Sequence, residues 1–102
     1  MIYQVMSRET IPDVSAAVGF TASHIPPAER RTIYALVQAV GGNIRYCIDG
    51  TTPTVTKGMR LTEDGTLEVW GAEAMQKFLC IANIANGSET VEVIFMGRGG
   101  LA

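Results

Sequence analysis

The chain has 102 residues, 47% of them apolar and 18% charged, which allows one core and one domain. Its 10 acidic and 8 basic side chains give a net charge of −2, and Arg30-Arg31 is the only adjacent basic pair, so no basic stripe suits nucleic acid. No run approaches the roughly 18 apolar residues of a membrane-spanning helix.

The opening Met1–Met6 lacks the basic start and long apolar run of a signal peptide and reads as a strand or arm. Thr21–Arg31 holds Pro26-Pro27, which excludes a helix interior and a central strand, so it reads as a surface loop. Thr32–Val40 carries apolar side chains at both odd and even positions, the pattern of a strand covered on two faces. Gly41-Gly42 then suits a tight hairpin into a partner strand at Asn43–Ile48.

A turn follows at Asp49-Gly50-Thr51-Thr52-Pro53-Thr54. Asp49 can accept hydrogen bonds from amides ahead of it, Gly50 tolerates a left-handed backbone, and Pro53 ends ladder pairing. Short strands are expected at Met59–Leu61 and Thr66–Trp70, then one helical turn within Gly71–Lys77. Phe78–Ile84 reads as a buried strand, Asn86-Gly87 as a second hairpin turn, and Thr90–Met96 as the last strand. Residues 97–102 read as a mobile tail. These elements predict an all-β fold: a single-domain β-sandwich or barrel of about seven to eight short strands with at most one short helix.

No residues stand out for catalysis, cofactor binding or metal binding. His24 is the only histidine and sits in the proline loop without Cys or carboxylate partners at ligand spacing. Glu63-Asp64 precedes Gly65 at a hairpin tip, too exposed to separate two carboxyl pKa values. Cys47 and Cys80 are too few for a disulfide scaffold and read as buried free thiols of a cytosol-made, reduced protein. The chain is therefore expected not to be an enzyme. Surplus apolar residues instead suggest protein–protein contact, with Ile2, Tyr3, Val5, Ile25, Pro26 and Trp70 as interface candidates. Ile2–Met6 is a segment able to pair with a neighbouring chain.

Ile44-Arg45-Tyr46-Cys47-Ile48-Asp49-Gly50-Thr51-Thr52-Pro53-Thr54, with Gly58 beyond it, resembles a family of small structural proteins of tailed bacteriophages. The similarity extends upstream to Val18-Gly19-Phe20-Thr21 and Tyr34–Gln38, and downstream through Leu67–Gly71 and Phe78 to Val91–Phe95. It spans roughly residues 17–96. Cys47 stands where the family more usually has a basic residue.

The resemblance implies a virion component made in the host bacterial cytoplasm, a head decoration (cement) protein on the outer surface of the capsid. It implies the major capsid protein as partner and a homo-oligomer, with a trimer favoured. In this reading Asp49, Gly50, Thr51, Pro53, Thr54 and Gly58 form a structural turn. A neck, tail or baseplate subunit is the alternative within the virion. The turn is also similar to that of fibronectin-like accessory domains found beside glycoside hydrolases. Such domains usually lie within long secreted chains, which this opening methionine without a signal peptide does not match.

Overall fold

The computed structural model describes residues 3–83 and 89–98. Among these, seven strands and one short α-helix make an all-β domain. In chain order they are β1 (Tyr3–Ile11), β2 (Thr32–Val40), β3 (Ile44–Cys47), β4 (Met59–Leu61), β5 (Thr66–Trp70), α1 (Ala72–Lys77), β6 (Leu79–Ala82) and β7 (Thr90–Arg98). A single 3-10 turn, Ala22–His24, interrupts the connection from β1 to β2. Sheet A has the order β1-β7-β2-β5 and sheet B the order β4-β3-β6, with antiparallel pairing throughout.

Strand alternation builds the core. Ala35, Val37 and Ala39 of β2, Val69 of β5, and Val91, Val93 and Phe95 of β7 are buried on one side of sheet A. Ile44, Leu61, Cys80 and Ala82 of sheet B belong to the same cluster, with Phe78 and Met75 from the α1 region. Phe20 lies flat on Phe78 at 4.4 Å and meets Phe95 edge-on at 5.3 Å. Burying Phe78 and Phe95 contributes roughly 1.5–3 kcal/mol each.

The connections differ from the expected hairpins. β2 and β3 do not pair: β2 has β7 on one side and β5 on the other, so neither edge is free for β3. Gly41-Gly42 instead carries the chain from sheet A to sheet B. β6 and β7 likewise lie in different sheets, so the second expected hairpin does not form, and Asn86-Gly87 lies outside the described residues. The strand β7 enters between β1 and β2, which are consecutive in the chain.

The two ends also differ. β1 runs to Ile11 and pairs with β7 from Tyr3↔Arg98 to Ile11↔Val91, with a bulge between Val5 and Ser7. Residues 3–6, expected as a strand or an arm, form a strand of an intrachain sheet, so the arm does not hold for them. Gly97 and Arg98, expected in the tail, pair with Gln4 and Tyr3. Residues 99–102 lie outside the described residues.

Coverage of β2 is one-sided. Its inner positions are buried, whereas Tyr34, Leu36 and Gln38 project from the other face and are half-buried among their neighbours. The proline loop holds a cis Pro26-Pro27 bond, and its Ile25 is only 5% exposed. Ile25 is therefore a core residue and not an interface residue. It is carried inward just after the 3-10 turn, where its N–H donates to the Ala22 carbonyl.

Candidate interaction surface

The strand registers set the outer side chains of sheet A in rows. Tyr3 is opposite Arg98; Val5, Met96, Tyr34 and Trp70 form the next row. Arg8, Ile94, Leu36 and Glu68 make the row after it, then Thr10, Glu92, Gln38 and Thr66. This face is apolar towards one end and polar towards the other.

Aromatic contacts organise the apolar end. Tyr34 and Trp70 stack at 4.2 Å with 17° between planes, and Tyr3 meets each of them edge-on at 5.8 Å. The Trp70 Nε1–H donates to Glu68 Oε1 at 2.9 Å and holds the indole in place. Such ring pairs are worth about 0.5–1.5 kcal/mol beyond area burial. Even so, Tyr3 is 41%, Val5 59% and Trp70 47% exposed. At the polar end Arg8 pairs with Glu92 at 3.2 Å, and Thr10 Oγ1 also donates to Glu92. Arg8, Leu36, Gln38, Thr66, Glu92 and Ile94 line a shallow depression of about 340 Å³ there.

Of the residues singled out in the sequence, Tyr3, Val5 and Trp70 meet on this face. Ile25 does not, as it is buried, and Ile2 lies outside the described residues. Pro26 is half-buried, and its carbonyl accepts from Gln76 Nε2 at 2.9 Å. Ile94 and Leu36 belong to the face but were not among the expected contacts. Their signal was phase: Ile94 falls between the inward Val93 and Phe95, and Leu36 between Ala35 and Val37.

A second surface lies across the sandwich, on the outer side of sheet B. Arg45 alternates with the buried Ile44 and so points outward. Its Nε donates to the Val55 carbonyl and its Nη1 to the Gly58 carbonyl, both at 3.0 Å. Asp49 Oδ1 accepts from the Thr51 amide at 2.9 Å, and Gly50 has φ +91°. Thr54 Oγ1 accepts from the Thr56 and Lys57 amides, while Thr54 and Lys57 exchange backbone hydrogen bonds. Pro53 is fully buried. Gly58 has φ +123°, and a Cβ there would stand 3.1 Å from the Tyr46 carbonyl oxygen. Around this pinned loop Ile48, Val55 and Met59 are 47%, 47% and 64% exposed. The hydrogen bond from the Thr51 amide, with Lys77 nearby, holds the Asp49 carboxyl below its ordinary range.

The ionisable groups form few clusters. His24 is half-buried rather than exposed: its ring stacks on Phe95 at 4.9 Å and Nδ1 lies 2.7 Å from Ser7 Oγ. Among the described residues no group of three His, Cys, Asp or Glu side chains could hold a metal, and no helix is long and apolar enough to cross a membrane. Cys47 and Cys80 are free thiols on adjacent strands. Cys80, in the core, has its thiol pushed up to about 12 by burial, whereas Cys47 is only half-buried.

Comparison of the chain with family models, curated proteins and solved structures gives no match.

Proposed function

We propose that this protein is a non-enzymatic structural component of a tailed-phage virion, a head decoration protein that binds the outside of the capsid. The observation that carries this reading is the presence of exposed apolar side chains in two separate places on one small sandwich. Tyr3, Val5 and Trp70 stand on the open face of sheet A, and Ile48, Val55 and Met59 lie along the β3–β4 connection and its entry into β4. Such a molecule can hold two neighbours at once. On a repeating shell, a second contact made by a tethered molecule raises effective concentration and multiplies weak affinities. The phage-like turn supports the same reading: its hydrogen bonds hold a loop shape that presents Val55 and Met59, and involve no reacting group.

The accessory-domain alternative draws no support from topology. Immunoglobulin-type sandwiches place the last strand at the edge of a sheet it shares with the third and sixth strands, whereas β7 here sits between the first and second.

Sedimentation with purified capsid shells lacking decoration tests the proposal. The wild-type chain should pellet with shells and saturate at a fixed ratio to the capsid subunit. Met59→Asp combined with Val55→Asp should remain folded and lose that binding. A chain that stays in the supernatant at saturating shell concentration would defeat the decoration reading.

A further inference from the structure

We propose that the open face of sheet A is covered by a second copy of this chain, forming a two-fold dimer. The charge pattern of the face selects this occupant and its orientation. The central row runs Arg8, Ile94, Leu36, Glu68 across the sheet: cation at one margin, anion at the other, two apolar side chains between. Consider a two-fold axis in the interface, parallel to the strands and between β7 and β2. It lays β1 over the partner's β5 and β7 over the partner's β2.

Each row then meets itself reversed. Arg8 faces the partner's Glu68 twice, once from each copy, and Ile94 faces the partner's Leu36. In the next row Val5 faces the partner's Trp70 and Met96 the partner's Tyr34, so apolar meets apolar. In the polar row Thr10 faces the partner's Thr66, and Glu92 the partner's Gln38. An axis perpendicular to the strands would instead set Arg8 over the partner's Arg8 and Glu68 over the partner's Glu68. Like-charge pairs of that kind cost several kcal/mol in an interface, so only the first axis is self-complementary.

Packed sheets usually cross at about 30°, which displaces the outermost strands by roughly 4 Å, within the reach of an arginine. The Arg8 side chain is 71% exposed, and its guanidinium has donors beyond the one given to Glu92. The dimer assigns the Tyr3, Val5 and Trp70 face to a second copy, one of the two neighbours the virion reading calls for, and fixes the copy number at two, where the phage resemblance implies three. It leaves the loop around Arg45 free on both outer ends.

Sedimentation equilibrium on the full chain, with paired charge reversals, tests this. The wild type should reach twice the chain mass at micromolar concentration. Arg8→Glu and Glu68→Arg should each weaken self-association about tenfold or more, because each sets like charges face to face. Mixed together, these two variants should form a heterodimer, since every facing pair is then opposite in sign. Circular dichroism melts identify any variant that fails to fold, and Glu68→Arg on the edge strand keeps the test usable if Arg8→Glu does. A wild type that stays monomeric or forms a trimer overturns the proposal. So do variants that pair with themselves as well as with each other.

Discussion

Sheet A contains three strands of nine residues and leaves its outer side open, while sheet B has strands of three or four residues and ties a loop across its outer side. The long strands of sheet A carry enough ladder bonds and inward apolar side chains to hold position without further cover. The short strands of sheet B also bury Ile44, Leu61, Cys80 and Ala82, but the loop across them is shaped by turn chemistry: the Arg45 guanidinium, the Asp49 carboxylate and Gly58. One region is stable by burial and free to present a face. The other is shaped by hydrogen bonds and presents a loop. Stability and recognition therefore depend on different residues in the two halves.

The largest effect is expected at Phe95, at the centre of sheet A. It is fully buried between Phe20 and His24, so Phe95→Ala should cost about 3–5 kcal/mol in urea denaturation. A loss as small as that of a surface substitution would mean that sheet A is not the stable half. Next comes Gly58→Val, which forces a branched side chain into φ +123° beside the Tyr46 carbonyl. It should cost roughly 1–3 kcal/mol, and an unchanged melting temperature would show the loop to be decoupled from sheet B.

A smaller effect is expected at Asp49. Its folded pKa is depressed, so its stabilisation is present above the ordinary value of 3.8 and is lost as pH falls through the lower folded value. Asp49→Ala should melt below wild type at neutral pH, and the gap should close in strong acid. A gap independent of pH would remove the carboxylate from the account. Smallest in stability terms is a labelling contrast: mild alkylation should modify Cys47 and leave Cys80 intact by mass spectrometry of the folded chain. Equal labelling would contradict the core position of Cys80.

Much of the fold was legible because alternation is local. Leu67 and Val69, and Val91, Val93 and Phe95, declared their inner face by period alone, while the helix formers of α1 showed the helical turn by propensity. Sheet membership was not legible. Gly41-Gly42 suits a hairpin by its own chemistry, and only the occupation of both β2 edges by distant strands rules the hairpin out. Ile25 was hidden for the same reason, since a proline-rich loop gives no sign that one of its side chains closes the core. The candidate face was half legible: surplus aromatic residues were visible, but that Tyr3, Tyr34 and Trp70 meet depends on a register joining β1, β2 and β5 through β7.

The most direct test is the amount of this polypeptide in purified phage particles from the source culture, measured by quantitative mass spectrometry against the major capsid protein. Decoration of the head predicts a near-stoichiometric ratio to the capsid subunit. A few copies per particle would place the chain in the neck or tail, and its absence from intact particles would contradict the virion account altogether.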